Sequence, residues 1–264
     1  MRPALTTGIG VALVVSVLVA CGSSAGAQRQ TELTVLAAAS LSHVFPEIGD
    51  LFTAGHRDVR FTFSFAGTDQ LAAQIKEGAP ADVFAGASTA YAEELLEDGS
   101  IEPFEAFCTN RLILVVPSSN PAGIAGLQDL AVKPATLVIG AEAVPIGAYT
   151  RKVLSDLDAL YGSGYSASVL ERVVSEEDSV NSILTKVASG EADGGFVYVT
   201  DARSAGSKVQ TFDLPAEAQA VATYPAAVVV DSSHVDIARQ FVAFLLEAPA
   251  QQVLGRGGFG PAPG

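Results

Sequence analysis

Ser40 and Thr68 each stand where a β-patterned run meets the start of a helix-patterned one. The first run is Leu33-Thr34-Val35-Leu36-Ala37-Ala38-Ala39-Ser40, and the second is Phe61-Thr62-Phe63-Ser64-Phe65-Ala66-Gly67-Thr68. A helix N-terminus carries four N–H groups with no acceptor inside the helix, and its dipole favours negative charge. Hydroxyl donors at two such ends describe a site that holds an oxyanion without a cation. Taken singly, either residue reads better as a plain N-cap.

The elements that must position these hydroxyls alternate between strand and helix throughout, which predicts α/β layers with largely parallel sheets. Strands are expected at 32–37, 59–65, 81–85, 111–117, 136–140, 169–174, 195–199 and 222–230. Leu41, Val44, Phe45, Ile48, Leu51 and Phe52 share one helical face, with Pro46 bending that helix or shifting its start. Further helices are expected at 69–77, closed by Gly78; at 89–98, capped by Thr89; from Val144-Pro145-Ile146-Gly147 to about Leu157; at 179–189; and at 235–247, after the capping candidates Ser232 and Ser233. Ser118–Gly126 marks a change of region, and Gly162-Ser163-Gly164 reads as a connector. The simplest division is two lobes, 31–108 plus 232–264 and 109–231. The chain then crosses twice, which gives a hinge and a cleft, and ligands of such sheets bind beyond the carboxyl ends of the strands.

The first twenty residues read as a signal peptide: Arg2, an apolar stretch from Gly8 to Ala20 too short to span a bilayer comfortably, then Leu18-Val19-Ala20-Cys21-Gly22. That ending resembles a bacterial lipobox, with Cys21 lipidated as the new N-terminus; the alternative is an ordinary signal peptide cut near Ala20. Residues 21–30 are small and polar and form a tether. Cleavage removes Arg2 and no acid, taking the net charge from −14 to −15. A chain this acidic is a poor nucleic-acid binder, and its 49% hydrophobic content supports a real core. With Cys21 lipidated, Cys108 is the remaining thiol, and it reads as a buried apolar residue.

Catalytic signatures are missing. His43, His56 and His234 are the only histidines and are widely spaced, so no zinc spacing emerges. His43 and Glu47 suggest only a solvated surface pair, and Glu93-Glu94 and Glu176-Glu177 suggest solvated faces. There is no G-x-S-x-G elbow and no phosphate-binding G-x-x-x-x-G-K-[ST] loop.

Several segments taken in order resemble the molybdate-binding proteins of bacterial ABC transporters. They are Ala37-Ala38-Ala39-Ser40-Leu41; Phe65-Ala66-Gly67-Thr68; Gln74 through Phe84, with its Gly78-Ala79-Pro80-Ala81-Asp82-Val83-Phe84 run; Val144-Pro145-Ile146-Gly147-Ala148-Tyr149; Asp178-Ser179-Val180; Gly195 through Ala202; and Tyr224 through Val229. The likeness spans nearly all of residues 31–264. It implies a two-lobed type II periplasmic-binding-protein fold, with two mixed sheets flanked by helices, a ligand cleft and two hinge crossovers. It also implies that molybdate or tungstate is held by the hydroxyls of Ser40 and Thr68, the amides of Ile146 and Val180, and the Tyr198 hydroxyl. No other cofactor is implied. The expected partners are ABC permease transmembrane subunits and, through Cys21, the extracytoplasmic face of the membrane; the chain is expected to act as a monomer and not as an enzyme. Thr68 and Ile146 stand where Ser and Ala are common in that family, and Asp69 follows where small residues are usual, so Asp69 is expected to turn outward from a dianion. Alternatives are a receptor for another tetrahedral oxyanion such as sulfate, an enzyme on the same fold, or an adhesin.

Overall fold

The computed structural model describes residues 30–263. The predicted signal peptide, Cys21 and the tether as far as Arg29 lie outside the described residues. Among the described residues no helix is long and apolar enough to cross a membrane.

Strands β1 (Thr31–Ala38), β2 (Val59–Ala66) and β3 (Val83–Ala85) alternate with helices α1 (Phe45–Gly55), α2 (Thr68–Lys76) and α3 (Thr89–Glu97). The long β4 (Glu105–Pro117) leads to α4 (Asp129–Val132), β5 (Leu137–Gly140), α5 (Pro145–Tyr161), α6 (Tyr165–Leu170), β6 (Val173–Glu177), α7 (Val180–Ser189), β7 (Gly194–Tyr198), α8 (Val199–Ala205) and β8 (Val209–Asp213). The chain returns through β9 (Val221–Val228) to α9 (Val235–Phe244) and α10 (Ala248–Gly257).

The strands form one curled, mixed path in the order β2-β1-β3-β9-β4-β7-β5-β6, with β8 also on β4. β1 lies parallel to β2 and β3, and β5 lies parallel to β6 and β7. The pairings that involve β4 and β9 are antiparallel, so the sheet is mixed rather than largely parallel. β4 joins the two halves: Glu105–Arg111 pairs with β9, and Leu112–Pro117 pairs with β7 and β8.

Burial explains the patterns. β1 is covered by neighbours on both sides and reads as a near-continuous apolar run. β2 is an edge strand with Phe61, Phe63 and Phe65 on one face and solvent on the other. Gly49 lets α1 lie close on that aromatic face, since a Cβ there would meet Phe63 at 3.0 Å. Phe241 of α9 packs against Phe45 and Phe52, which brings the C-terminal return onto the first half. A smaller apolar cluster under α2 and α3 includes Leu36, Leu71, Phe84 and Leu95.

Several local expectations change. α1 begins at Phe45 because Pro46 fits only its first turn. The N-cap of α3 is Ser88, which accepts from the Ala90 amide at 3.3 Å, and not Thr89. Val169 belongs to α6, and the strand expected at 169–174 is β6, four residues later. Gly162 and Gly164, at φ +104° and +99°, make the turn between α5 and α6. Ser232 accepts from the His234 amide and donates to Asp82. Glu47 pairs with Arg256 at 2.6 Å rather than with His43. Glu176 pairs with Arg151, and Glu177 is buried against Lys186 at 2.5 Å, so neither is a free solvated acid.

Candidate oxyanion site

A small cavity lies between the two halves of the sheet. Its walls come from the end of β1 and the turn after it (Ala38–Ser40), the β2–α2 junction (Ala66–Thr68) and Ala87 on one side. Val144–Ile146, Ser179, Val180 and Tyr198 close the other. All five residues named from the sequence therefore line a single space, and each is at most 4% exposed.

Neither hydroxyl residue caps its helix. Ser40 sits in a short 3₁₀ turn, Ala39–Leu41, well ahead of α1, so it does not open that helix as the sequence pattern suggested. Its Oγ lies 2.8 Å from the Tyr224 hydroxyl. Thr68 is the first residue of α2, after Gly67. Its Oγ1 accepts from the Ala87 amide at 3.0 Å, which leaves the hydroxyl proton to donate elsewhere. The methyl group that distinguishes Thr68 from Ser lodges against Gly86, where a Cβ would come within 2.9 Å of it.

On the opposite wall, Ile146 follows Pro145 at the start of α5, and Val180 is the first residue of α7. At those positions an N–H has no partner inside its own helix. Close approach of glycine backbones seats the first turn of α5: a Cβ on Gly147 would lie 2.0 Å from the Ala141 carbonyl oxygen. The Ser179 Oγ caps α7 by accepting from the Ser182 amide at 3.3 Å.

Tyr198 ends β7. Its hydroxyl oxygen is buried and has no partner among the described residues. Burial, reinforced by nearby Tyr224, Tyr149 and Asp201, pushes its pKa well above the ordinary tyrosine value, so it remains a neutral donor. Behind it lies Asp201, fully buried, with Oδ2 accepting from the Tyr198 amide at 3.1 Å. Burial pushes the Asp201 carboxyl up to about 7, opposed by the amides of Tyr198 and Asp201.

Asp69 stays out of the cavity wall but does not turn to solvent. It is half-buried, and its Oδ1 is buried without a partner among the described residues, beside Gly67. Its charge raises the Tyr91 pKa, after burial of that ring.

Contacts across the cleft hold the walls together. The Tyr91 hydroxyl donates to the Ala143 carbonyl. Asn181 donates to the Ala39 carbonyl at 3.3 Å, and Gln70 donates to Asp178 at 3.4 Å. The lining offers neutral donors, with no Lys or Arg among its residues. Hydrogen bonds from such donors to a charged ligand contribute roughly 1.5–3 kcal/mol each, so the arrangement has the chemistry to hold a small anion.

The model of a family described as bacterial extracellular solute-binding protein matches residues 33–260. The chain belongs to that family. It is 37% identical, over 97% of each chain, to the molybdate-binding protein ModA of Mycobacterium tuberculosis. Its fold matches the periplasmic molybdate-binding protein of Azotobacter vinelandii with a TM-score of 0.74 at 24% identity, covering 86% of this chain and 98% of that one. It also matches the sulfate-binding protein SubI of M. tuberculosis with a TM-score of 0.78 at 19% identity, covering 88% and 87%. At these identities both structures speak for the type II binding-protein fold alone. Members of the family bind solutes outside the cytoplasm.

The sequence did not single out Gly67, Ala87 or Ser179, which complete the walls, nor Asn110 and Asp201, which lie behind them. Ser179 carries a usable signal, a small hydroxyl residue ahead of a helical run. The others are ordinary residue types whose role exists only once the strands are paired.

Proposed function

We propose that this chain is an extracytoplasmic receptor that binds molybdate, and also tungstate, for delivery to the transmembrane subunits of an ABC permease. The observation that carries the proposal is the meeting of Ser40, Thr68, Ile146, Val180 and Tyr198 around one buried space with no charged lining residue. The identity to ModA over almost the whole of both chains supports the choice of ligand. We assign the ligand to the hydroxyls of Ser40, Thr68 and Tyr198 and the amides of Ile146 and Val180. We place the lobes at 31–108 plus 232–264 and at 109–231, with β4 and β9 as the crossings. The protein is proposed to act without catalysis and as a monomer, anchored through lipid on Cys21.

Calorimetric titration of the mature chain against molybdate, tungstate, sulfate and phosphate tests the ligand. Molybdate and tungstate should bind in the sub-micromolar range and sulfate at least tenfold more weakly. Equal affinity for sulfate and molybdate removes the specificity claim. For the anchor, Cys21→Ala should release the protein from the membrane fraction, and unchanged fractionation overturns the lipidation reading.

A further inference from the structure

We propose that Tyr224, which the cavity wall does not include, is a positioning residue that fixes the Ser40 hydroxyl as a donor toward the bound oxyanion, with Asn110 setting the direction. The inference rests on the receptor reading above.

Ser40 Oγ and Tyr224 Oη lie 2.8 Å apart, and both side chains are buried. By that distance alone either oxygen could donate. Asn110 decides between them. Its Oδ1 accepts from the Arg111 amide at 2.9 Å, which fixes the side-chain amide with Nδ2 on the other side. Nδ2 then donates to Thr200 Oγ1 at 2.9 Å and, more weakly, to Tyr224 Oη at 3.4 Å. The phenol oxygen accepts a hydrogen bond from Asn110 Nδ2, which favours turning its own proton toward Ser40. Ser40 cannot donate back along the same line, and its proton is left for the cavity that Ser40 lines. Thr68 is set the same way, by the Ala87 amide. Ser40 and Thr68 are thus each backed by a protein donor, and hydrogen bonds in such a chain polarise one another.

The anchor of this chain matters as much as its direction. Asn110 lies on β4 and Tyr224 on β9, the two strands that run between the halves, and Asn110 is in register with Ala222. Ser40 is therefore oriented from the crossing strands and not from the opposite wall. The Tyr224 ring also fills core, edge-on to Phe107, Tyr198 and Phe259 at 6.4, 6.1 and 5.4 Å. Phenylalanine keeps those ring contacts and deletes only the hydroxyl.

A double-mutant cycle separates positioning from packing. Wild type, Ser40→Ala, Tyr224→Phe and the double variant are titrated with molybdate, tungstate and sulfate, with thermal unfolding of each ligand-free protein alongside. Tyr224→Phe should weaken the tightest-bound oxyanion about 3- to 10-fold, the size of one neutral hydrogen bond. In the Ser40→Ala background the same change should alter affinity less than about 2-fold, because the residue through which Tyr224 acts is gone. Asn110→Ala, with the same dependence on Ser40, serves if Tyr224→Phe does not fold. An equal loss in both backgrounds, or no loss in either, overturns the proposal. A wild-type protein that binds sulfate alone corrects the ligand and leaves the cycle to be read with sulfate. A wild type that binds none of the three overturns the receptor reading itself, and this inference with it.

Discussion

Tyr198→Phe probes the site most directly. The hydroxyl is buried and has no hydrogen-bond partner among the described residues, so deleting it breaks no bond seen within the protein. The ring, 2% exposed, keeps its edge-on contact with Tyr224 at 6.1 Å. Ligand-free stability should therefore change by no more than about 1 kcal/mol. The bound state should lose one hydrogen bond to a charged ligand, roughly 1.5–3 kcal/mol, which is about 10- to 150-fold in affinity. At a fixed, saturating molybdate concentration the same loss subtracts about 1.4–3 kcal/mol from ligand-linked stabilisation. For a chain of this size that lowers the ligand-induced rise in Tm by about 3–12 °C. Calorimetry and thermal unfolding, with and without molybdate, read both quantities on one sample. A variant that binds like wild type would falsify the assignment of Tyr198. A variant whose ligand-free Tm falls as far as its ligand-bound Tm would show that the hydroxyl serves the fold instead.

Gly67→Ala should leave the backbone fold intact, since Gly67 has φ −59°, but an added Cβ would come within 2.5 Å of both Asp69 Oδ1, a side chain that can rotate away, and the Asp178 carbonyl oxygen across the cleft. Titration should show molybdate binding weakened about tenfold or more, the scale of a 1–3 kcal/mol overpacking cost, and scattering should show a more open particle; wild-type affinity would mean the walls need not approach so closely. Asp69→Ala should change affinity less than about 3-fold, and any change should favour binding, because no cation requires that carboxylate and a like charge near a dianion is removed; a large loss would place Asp69 in the binding machinery. Asp201, raised from 3.8 to about 7 by burial, holds its proton in the folded chain after the unfolded chain has lost it. Its stabilising contribution is full below about pH 4 and is lost as pH rises to about 7, at up to about 1.4 kcal/mol per pH unit. Asp201→Asn should flatten that part of the stability profile measured by denaturant unfolding, and a variant profile parallel to wild type would refute the assignment.

The fold was largely legible because most elements carry strong signals. The apolar run of β1, the alternating phenylalanines of β2 and the Pro-opened α5 each bury one defined face. Weak elements escaped for physical reasons. β8 has a single buried residue, Val209, so it shows no period to read. α6 is six residues long and follows two positive-φ glycines, so its apolar residues ran on visually into β6. The cavity hydroxyls are visible in the sequence as hydroxyls before helix-like runs, but a helix start accounts for only part of their placement. Ser40 opens no helix, and Thr68 is oriented by Ala87 from another loop. Tyr224 and Asn110 look like core and strand residues in sequence, and only the antiparallel pairing of β4 with β9 brings them together behind Ser40.

The lack of a cation among the lining residues determines how such a site has to work. A Lys or Arg would attract a dianion over several ångströms, since the energy of a charge pair falls only with the first power of distance. Hydrogen-bond donors act near 3 Å and weaken steeply beyond it. In the proposed receptor the first wall would supply the hydroxyls of Ser40 and Thr68, and the second Tyr198 with the helix starts at Ile146 and Val180. Neither wall alone replaces the hydration of a dianion, so tight binding requires both at once. The acidic surface, with a net charge of −14 over the full chain, adds no steering, although its repulsion is screened beyond about 8 Å at physiological salt. Affinity in this design is a steep function of the gap between the walls. Separating them by a few ångströms would take two or three of the five proposed donors out of reach and admit water, which is all that the proposed permease partner would have to do to discharge the ligand.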